Sequence, residues 1–249
     1  MLRGETDLSQ EPTSGAQRLR PVEDFAGSLA QRCYLSLREA ILSLAYRPGE
    51  VLKKPEICAR LGVSRSPVAE AVARLAGEGL VEVVPQAGSF VSRFSMDDIR
   101  ERAFLREAIE LAAVEDLAPR ITEDQLVLLR RNLRVQAALA DDGDVEGFYG
   151  LDGEMHALIL SFTGHRKLAQ AAETAWLNVA RARRMTLPVA GRLALTLAEH
   201  QAVLAALEAR DGERARMALR HHLRQLLHHL EPLQRERPDL FAPRGQPSA

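Results

Sequence analysis

The seven histidines of this 249-residue chain all lie beyond residue 155: His156, His165, His200, His221, His222, His228 and His229. Neutral imidazole is a ligand for Zn²⁺, Ni²⁺ or Mn²⁺, and a carboxylate can complete such a set. Asp152 and His156 stand at i and i+4 in Gly150-Leu151-Asp152-Gly153-Glu154-Met155-His156, so on a helix both project from one face. His200 follows Glu199 in the next-to-last predicted helix, and His222 lies in the last. One carboxylate and three imidazoles from three helices can converge in a bundle core and leave positions for water or a ligand oxygen. Spacing alone does not choose among the histidines. It does separate His221 from His222, since neighbours on a helix point about 100° apart. There is no HExxH pair and no motif that places an activated base, so these residues point to binding and not to catalysis.

A second group of side chains is suited to nucleic acid. The stretch from Leu52 to Phe94 reads as a short helix, a tight turn, a second helix and a two-stranded hairpin. Pro55 and Glu56 open the first helix and Gly62 closes it. Pro67 fits the first turn of the second, where its missing N–H costs nothing. Val68, Val72 and Leu75 recur at helical spacing and face a core. This is the pattern of a winged helix-turn-helix, whose second helix can enter a major groove. Ser64, Arg65 and Ser66 sit at the start of that helix, where free N–H groups favour phosphate. The planar fork of Arg65 matches guanine O6 and N7. Lys53 and Lys54 can supply phosphate contacts, and Gly88 at the wing tip permits close backbone approach.

These residues resemble the GntR family of bacterial transcription regulators. The resemblance runs through Arg47-Pro48-Gly49-Glu50, Leu61-Gly62-Val63-Ser64-Arg65-Ser66-Pro67-Val68, Glu70-Ala71, Arg74-Leu75, Glu78-Gly79-Leu80-Val81 and Gly88-Ser89-Phe90-Val91. It implies a homodimer on an inverted repeat of double-stranded operator DNA, acting as a repressor. The helical remainder resembles the FCD domain of one branch of that family, and a count of six helices instead of seven places it in the VanR-like group. That resemblance selects Asp152, His156, His200 and His222 as ligands of a divalent metal (Zn, Ni or Mn). It also implies a small carboxylate effector beside the ion. Arg106, which with Glu110 matches the family's Arg-then-Glu pattern, would grip it; Asn178 and Arg181 are further candidates to line the pocket. The chain departs from the family at Ala69, where an arginine is usual, at Pro55, at Met155 in place of Phe, and at His165 in place of Asn. A regulator that answers to the metal alone, and a metal-dependent enzyme, are the alternatives.

The elements that must position these groups are nearly all helical. We expect an arm without regular structure over residues 1–24, rich in Gly, Ser, Pro and charge. The winged helix-turn-helix domain follows over 25–94, opened by an amphipathic helix from about 27 to 45. A mostly α effector and dimerisation domain covers 95–231, an antiparallel bundle of helices near 97–118, 122–140, 144–163, 165–185, 189–209 and 211–231. A flexible tail over 232–249 closes the chain. A formal net charge of −1 is compatible with DNA binding, because only the docking face must meet phosphates. Two cysteines, Cys33 and Cys58, lack metal spacing and are expected as buried free thiols. No apolar run approaches the ~20 residues that span a bilayer, and no secretory signal is seen, so the expected setting is cytoplasmic.

Overall fold

Ser28 accepts a hydrogen bond from Gln31 N, and this cap starts helix α1 (Leu29–Leu42). The computed structural model describes residues 14–186 and 191–243 of the chain. Helix α2 (Lys54–Leu61) ends at Gly62, whose φ of +65° turns the chain toward α3 (Arg65–Gly77). Strands β1 (Val81–Val84) and β2 (Gly88–Val91) pair antiparallel, Val81 opposite Val91 and Val84 opposite Gly88. Leu37 and Ile41 of α1, Ile57 of α2, and Val68, Val72 and Leu75 of α3 fill one core. The apolar spacing of α3 therefore faces inward, leaving Ser66, Ala69, Glu70 and Ala73 exposed. Cys33 is fully buried, but Cys58 is only half-buried.

The arm expected over residues 1–24 needs correction from Ser14 onward. Two 3-10 turns, Gly15–Arg18 and Val22–Asp24, lay Ala16, Leu19 and Val22 into the first core. Arg60 donates to Leu19 O, and Arg20 pairs with Asp24 and Glu39. Gly15 lies so close to the Tyr46 ring that an added Cβ would stand 2.4 Å from it. Composition hid these contacts, because a few apolar residues in a polar stretch suffice when a groove is waiting for them. Residues 1–13 lie outside the described residues.

The chain divides into two compact units between Arg93 and Phe94. The second contains α4 (Met96–Leu117), α5 (Glu123–Asp142), α6 (Val145–Phe162), α7 (Arg166–Ala175), α8 (Leu177–Thr186), α9 (Arg192–Glu208) and α10 (Gly212–Glu236). Ser95, Thr122, Asp144 and Asp211 cap four of these through their side chains, and Thr122 with Gln125 forms a full capping box. Leu117, Leu129, Ile159, Val203, Leu207 and Leu219 meet in its core.

Two expectations change here. The single helix predicted over 165–185 is two helices parted at Trp176, so seven helices are described and the six-helix count behind the VanR-like grouping is not met. The last helix does not stop near residue 231. It continues through Pro232 to Glu236, and a 3-10 turn, Pro238–Leu240, returns the chain onto Phe94. Phe94 N donates to Leu240 O at 3.0 Å, Ala242 N donates to Phe94 O at 2.8 Å, and the Phe94 and Phe241 rings lie 5.6 Å apart. Leu240 and Phe241 are buried, so the first part of the expected tail is packed. Residues 244–249 lie outside the described residues.

Candidate metal centre

Helix α6 carries Asp152 and His156 on one face, α9 carries His200, and α10 carries His222. All four side chains are buried, and one ligand atom from each lies within 4.8 Å of the others. His156 Nε2 is 3.2 Å from His222 Nε2, and His200 Nε2 is 3.2 Å from Asp152 Oδ1. The opposite ring nitrogens are all occupied. His156 Nδ1 meets Glu110 Oε2 at 2.6 Å, His200 Nδ1 meets Gln136 Oε1 at 2.8 Å, and His222 Nδ1 meets Glu199 Oε2 at 2.8 Å. Each partner is an acceptor, so each Nδ1 donates and each Nε2 keeps its lone pair for the centre. This is how outer partners orient metal-ligating histidines.

Electrostatics supports the same protonation state. Burial pushes His200 and His222 well below the ordinary imidazole value, and their positive neighbours add to it. Burial lowers His156 too, against the pull of Glu110. For Glu110 burial works upward, but Arg106 and His156 outweigh it and hold the carboxyl down at about 2. The donor set fits a divalent ion by a further test. Asp152 Oδ1 and His200 Nε2 are buried without a hydrogen-bond partner. Buried polar atoms are rarely left so, and a place for an ion is one reason. Asp152, His156, His200 and His222 could each contribute one atom to it.

Three arginines surround the cluster. Arg106 Nε lies 2.5 Å from Glu110 Oε1, both buried, so this i, i+4 pair is internal and not on the surface. Arg192 holds Glu199 by two bonds of 2.7 and 2.9 Å. Arg183 stands against Oδ2 of Asp152. Arg106, Arg183 and Arg192 line a cavity with room of about 20 Å³, enough for one water.

In the first unit, Arg65, Ser66 and Lys54 are exposed, and Arg65 makes no ion pair among the described residues. Ser64 is the N-cap of α3, but its side chain makes no capping bond. Lys53 pairs with Glu56 at 2.9 Å. At the wing tip Gln86 has φ +63° and Gly88 has φ +128°, a conformation that suits glycine.

Comparison with known proteins decides the family. Residues 29–91 match the model for "Bacterial regulatory proteins, gntR family", and residues 101–225 match that for the FCD domain. The chain is 37% identical over 209 residues to an HTH-type transcriptional regulator in an unstable DNA locus of Streptomyces ambofaciens, covering 84% of this chain and 88% of that one. The chain belongs to the GntR family, in the branch with an FCD domain. It is also 32% identical over 212 residues to the HTH-type transcriptional repressor RspR of Escherichia coli K12, covering 85% of this chain and 93% of the repressor. Among solved structures, a GntR transcriptional regulator from Rhodococcus sp. RHA1 aligns with TM-score 0.70 at 27% identity, covering 82% of this chain and 99% of that one. Escherichia coli McbR/YncC aligns with TM-score 0.72 at 23% identity, covering 84% and 99%, which is a likeness of fold.

For this GntR-family chain the structure distributes the sequence-named effector residues unevenly. Arg106 lines the cavity. Arg181 does not: it is buried with its guanidinium 4.6 Å from the centre of the Phe94 ring, and the guanidinium at Asp152 is that of Arg183. Residues two apart on a helix point about 200° apart, so choosing one excludes the other. The backbone of Asn178 is on α8, but its side chain lies outside the described ones. The remaining histidines are not in the ligand set. His221 and His228 are exposed, His229 is half-buried, and His165 faces Asp116. Sequence reading missed Gln136, Glu199 as a partner, Arg183 and Arg192. The Glu199–His200 pair was a signal, since one α9 neighbour supplies a ligand imidazole while the other reaches the imidazole of His222.

Proposed function

We propose that this GntR-family transcriptional regulator is a homodimeric repressor of an inverted-repeat operator, and that its FCD domain holds one divalent ion (Zn, Ni or Mn) and answers to a small carboxylate. Asp152, His156, His200 and His222 hold the ion, which supplies a Lewis-acid site for a ligand oxygen. Arg106 and its neighbours supply charge for the acid. In the winged helix, Arg65 reads bases, Lys53, Lys54, Ser64 and Ser66 meet phosphate, and Gly88 lets the wing approach closely. The repressor assignment draws on the name of RspR.

One observation carries the metal reading. Three imidazoles each have Nδ1 tied to an acceptor, and one atom of each converges with a carboxylate oxygen of Asp152, whose Oδ1 no hydrogen bond satisfies. The test is operator binding by purified protein, metal-free and Zn²⁺-loaded, with and without carboxylic acids. A ligand shifts such an equilibrium only through its differential affinity for the two states. Acid-dependent loss of operator affinity only in the loaded protein is the expected result. Loss with metal alone favours the second reading, in which the ion is the signal. The small cavity favours that reading in one respect, since it has room for one water but not for an acid as it stands. No helix among the described residues is long and apolar enough to cross a membrane.

A further inference from the structure

Helices α5 and α6 leave a groove of about 290 Å³ between them. Leu128 and Val135 of α5 and Leu151 and Leu158 of α6 line it, and the first two are 44% and 43% exposed. Exposed apolar side chains gathered in one place and rimmed by polar ones mark an interaction site. The rim is Arg131 on the α5 side and Glu154 on the α6 side. Both are exposed, and neither makes an ion pair among the described residues, although the adjacent Arg130 pairs with Glu123 and Glu208. Gly150 lies one turn from Glu154 on α6, and a Cβ there would meet nothing within 4 Å. Glycine inside a helix is costly relative to alanine, and close approach of another backbone is one reason to keep it.

The floor of the groove is shared with the metal centre. Asn132 Nδ2 donates to Leu151 O at 3.0 Å, and Gln136 Nε2 donates to the same oxygen at 3.3 Å. Gln136 Nε2 also donates to Asn132 Oδ1 at 2.6 Å, which leaves Gln136 Oε1 for His200 Nδ1 at 2.8 Å. The floor thus holds His200 through Gln136, and Leu151 is the chain neighbour of Asp152.

We infer that a second copy of this chain docks on the α5–α6 face, and that docking and metal loading strengthen each other through the shared floor. The docking names the face of the homodimer proposed above, and the coupling rests on the metal reading. The Asn132–Leu151 bond puts Arg131 and Glu154 within about one helical turn of the same level on their antiparallel helices. A two-fold axis along the groove exchanges the α5 and α6 sides, so each Arg131 meets the partner's Glu154. Unlike charges meet twice, and the apolar side chains meet their counterparts. Such a self-complementary patch is what an isologous contact needs. A small apolar ligand in the groove would leave both charges unmatched. Two events that order the same floor cost less together than apart, and the effect is reciprocal.

The test mixes two full-length, metal-free variants, Arg131→Glu and Glu154→Arg, one of them carrying a longer tag, and counts homodimers and heterodimers by native mass spectrometry. Each variant alone sets like charges together twice and dimerises at least about tenfold more weakly than wild type. Mixed, they regain two unlike pairs, so heterodimers exceed about nine in ten of all dimers, where tagged and untagged wild type give about half. A statistical mixture overturns this docking face and leaves a homodimer standing; a monomeric wild type overturns both. With Zn²⁺ in place of chelator, wild type stays dimeric to a dilution about fivefold greater or more. Equal dissociation with and without Zn²⁺ overturns the coupling. A chain that binds no Zn²⁺ overturns the metal reading, and the mixing arm still decides the face.

Discussion

Glu110 Oε2 stands 2.6 Å from His156 Nδ1, joining two buried side chains from α4 and α6. Glu110 also holds Arg106 through its other oxygen. Glu110→Gln therefore has two separable effects. It weakens the orientation of His156 and lowers Zn²⁺ affinity by about 10–100-fold. It also leaves Arg106 buried without its counter-charge, at a cost of about 3–5 kcal/mol in stability. Adding Arg106→Met should restore much of the stability in urea unfolding without restoring Zn²⁺ affinity. If both properties recover together, Glu110 does not act through His156.

Arg65 is exposed at the start of α3, the helix whose apolar face is buried. Arg65→Ala should cost about 1–3 kcal/mol on a selected operator and little on random duplex if the fork reads a base. Fluorescence anisotropy across a salt series checks this. An equal loss on both duplexes, with a shallower salt slope, would show a phosphate contact instead.

Tyr46 is fully buried, and its hydroxyl has no hydrogen-bond partner. An unsatisfied buried group costs about 1–3 kcal/mol. Tyr46→Phe should leave the first domain as stable or more stable by denaturant unfolding. Burial raises the pKa of Tyr46, and of Cys33 and Tyr34 in the same core. Burial penalises only their ionised forms, so stability is fully present below their unfolded values, about 8.5 for a thiol and 10 for a phenol, and is lost as pH rises through the folded ones. Stability should fall from pH 8 to 11, and Tyr46→Phe should flatten the upper part. A wild-type curve that is level over this range would contradict the burial argument.

Leu240 and Phe241 pack against Phe94, the first residue of the second unit. A chain ending at Arg237 loses this burial, worth about 1.5–3 kcal/mol for each of the two side chains. Its melting temperature should fall measurably below that of the full chain. An unchanged value would mean the segment adds nothing to stability.

The helix-turn-helix and wing were legible because Gly62, Pro67, Gly79 and Gly88 punctuate a short stretch where local rules apply. The bundle helices were legible from caps such as Ser95 and Thr122. Helix rotation was not. Nothing local distinguishes Arg181 from Arg183, and only packing shows that one meets Phe94 and the other Asp152. The partners of the histidines were hidden for a related reason: Glu110 lies 46 residues from His156, and Gln136 lies 64 residues from His200. The break at Trp176 carries no proline or glycine, so no punctuation announced it. Leu240 and Phe241 looked like tail because their docking surface is Phe94, far away in the chain.

The central claim is that Asp152, His156, His200 and His222 hold one ion, and the most direct measurement is metal content by mass spectrometry after purification with divalent metal and removal of excess. The account predicts about one ion per chain in wild type, and loss of nearly all of it in His200→Ala and Asp152→Ala variants that remain folded. Less than about half an equivalent in wild type, or full occupancy in both variants, would contradict it.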